Sequence, residues 1–176
     1  IMSVKIYYSN KIPNKSLSNL VLFVDDKFNI KNLKKYLSKT ELFYINDLLK
    51  NNDLKKNMFL FEINSRKKIM LISIKKDLKI SDVENLGAEF YGRINHGKSI
   101  EYSVNSETVI SKQENFIGYF LHGLKLKSYS FSKYKTKKVK RIISINVLGN
   151  KNKPSNKTQL KFKALEEGTF YARDLV

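Results

Sequence analysis

Residues 92–99 carry the string most suggestive of a chemical function. They read Gly-Arg-Ile-Asn-His-Gly-Lys-Ser and match the phosphate-binding pattern G-x-x-x-x-G-K-[ST]. Such a loop binds phosphate when it joins a strand to a helix, because its N–H groups and the helix N-terminus then converge. Here a predicted helix precedes the string and a predicted strand follows it. We therefore expect a helix C-terminus closed by glycine, with Lys98 in a turn. Nucleotide binding at this loop is the less favoured alternative.

Few other residues could perform acid–base, nucleophilic or metal chemistry. His96 and His122 are the only histidines, and neither has a partner at a metal-ligand spacing such as H-E-x-x-H. We expect a surface or core-edge position for both. Asp25 and Asp26 would point to opposite sides of a strand, so they do not predict a catalytic pair. The chain has no cysteine, which excludes disulfides, thiolate metal sites and a cysteine nucleophile.

Charge is a strong compositional signal. The 34 basic and 16 acidic residues give a formal net charge of +18, and residues 124–165 contain no aspartate or glutamate. Only four of the basic residues are arginines, whereas nucleic-acid binders usually rely on arginine for bidentate contacts. We expect this basic block to face solvent, another domain or a polyanion. The candidate contact residues within it are Lys133, Lys135, Lys137, Lys138, Lys140 and Arg141.

Aromatic residues are interleaved with the lysines in this block. Tyr129, Phe131 and Tyr134 could stack on bases while neighbouring lysines hold phosphates, which would make residues 124–165 a nucleic-acid-binding module. The alternative is that Tyr129 and Phe131 pack inward on a strand-like segment while the lysine side chains extend to solvent. We favour inward packing.

Apolar runs and helical spacings alternate along the chain. Strands are predicted at residues 4–8, 20–24, 58–61, 69–74, 100–104 and 141–148. Helices are predicted at residues 29–37 and 41–50, after the capping boxes Ser81/Glu84 and Ser111/Glu114, and at residues 158–176. This alternation predicts an α/β domain in which a mixed sheet has helices on both faces.

The last predicted helix, residues 158–176, is expected to be amphipathic. Its apolar stripe consists of Leu160, Ala164, Gly168, Ala172 and Leu175. No glycine, proline or polar tail closes this helix, so we expect the chain to be one domain of a longer protein. No apolar run reaches the ~18 residues of a membrane span, and no signal-peptide pattern is present. We therefore expect a cytoplasmic, soluble domain that does not bind membranes.

Three segments share the patterns of one known family. Gly123, followed by residues 129–138, is similar to the pattern G…Y-x-F-x-x-Y-K-[ST]-K-K. Residues 167–175, Glu-Gly-Thr-Phe-Tyr-Ala-Arg-Asp-Leu, are similar to a helix with the pattern G-x-x-x-A-R-D-L, and residues 90–98 fit an F-x-G-K turn. In these segments the chain resembles the leucyl (cytosol) aminopeptidase family of metallopeptidases.

The resemblance implies that residues 1–157 form the family's N-terminal domain, a macrodomain-like α/β sandwich. Residues 158–176 would form the helix that leads to a catalytic domain absent from this chain. The whole enzyme would be a hexameric exopeptidase that removes N-terminal residues such as leucine and binds two divalent cations, Zn²⁺ or Mn²⁺. The family's metal ligands lie in catalytic-domain motifs such as N-T-D-A-E-G-R-L, and none of these motifs occurs here. We therefore assign no catalytic, cofactor-binding or metal residue to this chain.

The implied role of this domain is to pack against the enzyme's own catalytic domain and neighbouring subunits, and to help assemble the hexamer. Binding of ADP-ribose or a nucleotide, which a macrodomain-like fold suggests, is a further alternative. It is disfavoured because the seven glycines are not clustered as a phosphate-cradling loop.

Overall fold

The computed structural model describes residues 2–11, 18–132 and 141–175. The strands in these ranges are β1 Met2–Tyr8, β2 Leu20–Val24, β3 Met58–Glu62, β4 Lys68–Ser73, β5 Ile100–Asn105 and β6 Arg141–Leu148. The helices are α1 Lys39–Lys50, α2 Ile80–Ile94, α3 Phe116–Ser132 and α4 Asn156–Asp174. Two short 3₁₀ turns lie at Lys31–Leu33 and Ser106–Thr108.

The six described strands form one sheet in the order β1-β6-β5-β2-β4-β3. Neighbouring strands are parallel except β3 and β4, which are antiparallel. The chain runs from β2 through α1 and β3 to β4 on one side of β2, and α2 then carries it to β5 on the other side. The connectivity therefore reverses between β2 and β5, and the carboxyl ends of the parallel strands share one edge of the sheet.

Strand β2 lies at the centre of the sheet and is buried on both faces. Val21 and Phe23 pack with α2 and α3 on one face, whereas Leu20, Leu22 and Val24 pack with α1 on the other. Its sequence is unbroken by polar residues because each of its side chains must enter one of the two cores. The predicted α/β fold, a mixed sheet with helices on both faces, is confirmed.

The predicted start of helix α3 is wrong. The helix begins at Phe116, after Asn115 adopts a left-handed φ of 57°, and not at the expected capping box of Ser111 and Glu114. The Ser111 hydroxyl instead accepts a hydrogen bond from the Gln113 N–H within the preceding loop. A serine side chain that satisfies a turn in this way competes with its use as a helix cap.

Helix α2 begins at Ile80, just ahead of the predicted capping box of Ser81 and Glu84. The carboxylate of Asp82 accepts a hydrogen bond from the Lys79 N–H, so the N-cap is Lys79, two residues before the predicted Ser81. An acidic residue in the first turn also interacts favourably with the helix dipole.

The helix predicted over residues 29–37 is only the 3₁₀ turn Lys31–Leu33. Upstream, Asp25 Oδ1 accepts hydrogen bonds from the N–H groups of Lys27 and Asn29, a turn that competes with helical hydrogen bonding. Leu33 and Leu37 are nevertheless buried on the α1 side of the sheet. The spacing of the apolar residues therefore predicted which side chains are buried, but not the backbone conformation.

The apolar stripe predicted for the last helix faces outward. Leu160 and Leu175 are 68% and 71% exposed, whereas the buried positions of α4 are Phe162 and Glu166. The leucines face outward because α4 packs on α3 through the ring of Phe162 and through the pair of Glu166 and His122. Helix α4 begins at Asn156, and the predicted domain boundary after residue 157 stays a prediction.

Candidate ligand-binding crevice at the carboxyl edge of the sheet

A crevice of about 700 Å³ opens at the edge of the sheet where the parallel strands end. The chain leaves β2 toward α1 on one face of the sheet, and it leaves the neighbouring strand β5 toward α3 on the other face. Because these two connections diverge, a cleft forms between them, and this is where ligands bind in open α/β sheets. The connectivity of the chain therefore places a candidate site here.

The floor of this crevice is held by a buried threonine. Thr108 Oγ1 accepts a hydrogen bond from the Phe23 N–H at 3.0 Å and donates one to the Asn105 carbonyl at 2.8 Å. These two bonds fix the turn that follows β5 against the end of β2. The side-chain oxygen of Asn105 also accepts the Glu107 N–H, so the turn is braced from both of its ends.

The walls of the crevice are strongly basic. Five lysines and two carboxylates line it, which gives a net charge of +3. The lysines come from separate segments of the chain: they are Lys31, Lys34, Lys35, Lys76 and Lys151. The half-buried ring of Tyr36 and the side chain of Ile110 add apolar surface to the walls.

Both carboxylates of the crevice are already engaged. Asp25 accepts two backbone N–H groups of its own loop, at 3.1 and 2.9 Å. Glu107 Oε1 accepts the Asn150 N–H at 2.9 Å, and Glu107 Oε2 lies 4.0 Å from Lys151 Nζ. The contacts of Glu107 join the loops after β5 and β6. The other four lysines have no carboxylate partner among the described residues.

A second cleft, of about 400 Å³, lies between α3, α4 and β1. In it His122 Nδ1 and Glu166 Oε1 are 3.2 Å apart, and both side chains are largely buried. The imidazole also packs on the ring of Phe162 at 5.3 Å. The predicted core-edge position of His122 is confirmed, but its carboxylate partner is 44 residues away and no local spacing could have indicated it.

The phenol of Tyr8 also lines this second cleft. Burial raises the pKa of the Tyr8 phenol, and the negative charge of Glu166 raises it further. The phenol is therefore protonated at neutral pH. We interpret the pair of His122 and Glu166 as a structural contact that orients α4 on α3.

Five of the six sequence-predicted contact residues lie outside the described residues: Lys133, Lys135, Lys137, Lys138 and Lys140. Arg141 is the first residue of β6, at the amino end of the strand and so at the edge opposite the crevice.

Tyr129 lies on helix α3 and not on a strand-like segment. Its ring stacks on Phe170 with centroids 4.1 Å apart, and its hydroxyl donates to the Phe170 carbonyl and to Asp174. The Arg173 guanidinium lies 5.9 Å from the centre of the same ring. Inward packing of Tyr129 is therefore confirmed, but the strand is wrong because the helical spacing of α3 continues through this residue.

The phosphate-loop string also lies at the opposite edge of the sheet. Helix α2 ends at Ile94, Gly97 turns the chain with a φ of 81°, and β5 follows. The Ser99 hydroxyl accepts the Ile142 N–H rather than facing a cavity. The expected helix end and turn are confirmed, and His96 is exposed beside them, as predicted.

No group of three or more His, Cys, Asp or Glu side chains within residues 2–11, 18–132 and 141–175 is placed to hold a metal ion. Over the same ranges, none of the helices has the length and apolar character needed to cross a membrane.

No protein-family model and no curated protein sequence matches this chain. Among solved structures, it is similar to a mutant form of tomato leucine aminopeptidase, with a TM-score of 0.65 over 98% of this chain and 12% sequence identity. The chain spans 38% of the length of that enzyme. At this identity the likeness shows a shared fold: the chain is an α/β domain of the kind found within a leucine aminopeptidase.

Proposed function

We propose that this chain is the non-catalytic N-terminal domain of a leucyl aminopeptidase. The observation that carries the proposal is the fold, since 98% of the chain superposes on 38% of the tomato enzyme. The motif resemblance of residues 129–138 and 167–175 supports the same family independently of the fold. The parent would be a cytoplasmic exopeptidase that removes N-terminal residues such as leucine from peptides.

In this proposal, peptide hydrolysis by the parent aminopeptidase takes place in its catalytic domain. The two divalent cations implied by the family, Zn²⁺ or Mn²⁺, do not fit this chain, because no cluster of metal-ligating side chains occurs among the described residues. A two-metal mechanism requires ligands that converge on one open site. We therefore derive no catalytic step from the residues of this domain.

The outward face of α4 supports a role in domain packing and hexamer assembly. The face carries exposed apolar residues over several turns: Leu160, Leu165, Tyr171 and Leu175. The opposite face is anchored on α3 by Phe162 and Glu166, so the exposed side chains are held in a fixed orientation. Such a face is suited to contact the catalytic domain or a neighbouring subunit of the parent.

The absence of catalysis can be measured directly. We expect the purified chain to hydrolyse leucine-p-nitroanilide no faster than a buffer blank, with Mn²⁺ or Zn²⁺ added. A catalytic domain of this family, expressed separately, serves as the positive control for the metal and the substrate. Robust turnover by the pure chain would overturn the proposal.

Nucleic-acid binding by residues 124–165 stays a prediction. The central part of this block lies outside the described residues, and Tyr129 is occupied by Phe170 on one face of its ring. Binding through phosphate contacts would weaken steeply with salt, with a log–log slope near −0.9 for each phosphate neutralised. A gel-shift assay that detects no complex at about 50 mM salt would eliminate this alternative.

A further inference from the structure

We infer that strand β3 pairs in antiparallel orientation with β3 of a second copy of this chain, so that the two sheets join into one. The inference goes beyond the proposed function, which assigns the contacts of this domain to the outward face of α4. It rests on the backbone groups that β3 presents at the edge of the sheet, on its side chains, and on the charges at its two ends.

Strand β3 is an edge of the sheet. It hydrogen-bonds to β4 on one side, and no helix or strand in the described ranges packs along its other side. Native proteins commonly protect such an edge with a proline, with a lysine inside the strand or with a bulge. β3 reads Met-Phe-Leu-Phe-Glu and keeps an unbroken register with β4, so it carries none of these three features.

The bonds to β4 show which backbone groups of β3 are directed outward. The Ile63 N–H, just after the strand, donates to the Lys67 carbonyl at 2.9 Å. Bonded positions alternate along an antiparallel ladder, so every second residue counted back from Ile63 also bonds to β4. The N–H and C=O groups of Met58, Leu60 and Glu62 therefore point away from β4, toward the open edge.

These outward groups are self-complementary. In an antiparallel pair centred on Leu60, this residue lies opposite Leu60 of the second copy, and Met58 lies opposite Glu62 of the second copy. Each opposite pair can exchange two N–H···O=C bonds, which gives about six across the junction. A two-fold axis generates the arrangement, and two-fold interfaces are the commonest in homo-oligomers.

The side chains of β3 suit the same register. Leu60 is 36% exposed, and the pairing would bury it against Leu60 of the second copy. On the other face of the strand, the half-buried ring of Phe59 packs on Phe28 at 5.1 Å and would lie opposite Phe61 of the second copy. Aliphatic and aromatic pairs directly opposite each other stabilise antiparallel strands.

The charges at the two ends of β3 favour the antiparallel orientation. Lys55 and Lys56 precede the strand, and the exposed Glu62 ends it. Antiparallel pairing brings Glu62 of each copy next to the lysines of the other, whereas parallel pairing would bring lysines together. The net charge of +18 opposes association, but salt screens it beyond about 8 Å at physiological ionic strength. Association should therefore strengthen as the salt concentration rises, whereas binding to a polyanion would weaken.

The test is sedimentation equilibrium of the whole chain from about 10 μM to about 1 mM, at low and at high salt. We expect a monomer–dimer equilibrium. Leu60→Pro removes one outward N–H without removing a bond to β4, and Leu60→Lys places a charge at the centre of the junction. Each should raise the dimer dissociation constant by at least about tenfold. The matched control Leu54→Lys alters a leucine that is 40% exposed outside the strand, and it should stay within about twofold.

The register can be tested separately, because the chain has no cysteine. In Leu60→Cys the thiols of the two copies would lie opposite each other across the two-fold axis. A short bismaleimide should therefore link Leu60→Cys into a covalent dimer much faster than it links the control Leu54→Cys. Equal rates of linking in the two variants would contradict the register.

Two results would overturn the inference. One is a chain that stays monomeric at the highest concentration. The other is a dimer that is kept in both Leu60 variants and lost in Leu160→Lys/Leu175→Lys, which would assign the contact to α4. Circular dichroism melts check that each variant is folded. Because self-association is measured without a catalytic domain and without a peptide substrate, its outcome is independent of the proposed aminopeptidase role.

Discussion

Helix α3 has two helical neighbours, and it contacts them in different ways. Against α2 the backbones touch. A Cβ atom on Gly87 would lie 1.8 Å from the Phe120 carbonyl oxygen, and one on Gly123 would lie 1.9 Å from the Glu84 carbonyl oxygen. The two glycines therefore form a reciprocal contact in which neither helix has room for a side chain.

Against α4 the contact is made by side chains. The rings of Phe162 and Tyr119 meet edge to face at 5.1 Å, the pair of His122 and Glu166 lies beside them, and Tyr129 stacks on Phe170 further along. Polar and aromatic contacts of this kind resemble an interface between domains more than a core. The comparison indicates that α2 and α3 belong to one inseparable core, whereas α4 is an attached element.

The largest expected effect comes from filling the contact between α2 and α3. Gly123→Ala should destabilise the fold by more than about 3 kcal/mol, because the new methyl group meets backbone atoms that cannot move without separating the helices. The matched control is Gly168→Ala on α4, where no atom lies within 4 Å and helix propensity favours alanine by about 1 kcal/mol. Chemical denaturation measures both. Equal stability of the two variants would contradict the difference between the helix pairs.

The second expected effect concerns the anchor of α4. Phe162→Ala should cost about 2–3 kcal/mol, because the ring is 9% exposed and packs on Tyr119. Tyr171→Ala, on the outward face of the same helix, should change stability by less than about 0.5 kcal/mol. Hydrogen exchange should show the loss of protection in Phe162→Ala confined to α4, and a loss spread over α2 and α3 would argue that α4 belongs to the core.

The third prediction uses the buried ion pair on the other face of the sheet, where Lys67 Nζ and Glu41 Oε2 are 2.6 Å apart. Burial raises the pKa of Glu41, but hydrogen bonds from Lys67 and from the Ser38 backbone outweigh it, and the net pKa lies below the ordinary 4.5. A carboxyl group with a lowered folded pKa stabilises the fold above its unfolded pKa, and this contribution is lost as the pH falls through the folded pKa.

Glu41→Gln should therefore destabilise the protein by about 2 kcal/mol at pH 7, and the difference should shrink as the pH falls below about 4.5. The control Glu89→Gln breaks only the exposed pair with Arg93 and should cost less than about 1 kcal/mol at any pH. Thermal melts from pH 7 to pH 3 provide the measurement. A difference that grows toward acid would contradict the sign of the pKa shift.

The smallest expected effect on stability is at the outward face of α4. Leu160→Lys/Leu175→Lys should leave the stability of the chain within about 0.5 kcal/mol, because both side chains are largely exposed. If α4 is attached in order to contact the catalytic domain, the same variant should weaken binding to a separately expressed catalytic domain by at least about tenfold. The control Leu54→Lys alters an exposed leucine outside α4, and an equal loss in that variant would assign the contact elsewhere.

Some features of the fold could be read from local patterns, and others could not. The unbroken apolar run of β2 indicated burial on two faces, and the order of elements indicated helices on both sides of a sheet, because periodicity follows directly from the geometry of each element. The predicted helix at residues 29–37 and the two predicted capping boxes are wrong. The side chains of Asp25, Asp82 and Ser111 instead accept hydrogen bonds from the backbone N–H groups of neighbouring loop residues.

The candidate site illustrates the same limit. The lysines of the crevice were not distinguished from the other basic residues of a chain with a net charge of +18. Lys31, Lys76 and Lys151 are separated by dozens of residues, and only the strand order brings them to one cavity. Charge counted along the chain pointed instead to residues 133–141, where the lysines are adjacent.

Composition and periodicity were sufficient for the fold class, the position of the strands and the lack of cysteine chemistry, since these depend on residue type and on contacts close in sequence. The partner of His122, the outward orientation of the α4 leucines and the basic crevice depended on the tertiary structure. Each arises from segments that are distant in sequence and meet because β2 and β5 are neighbours or because α4 packs on α3. Contacts of that range are set by the packing of the whole domain, and no local pattern encodes them.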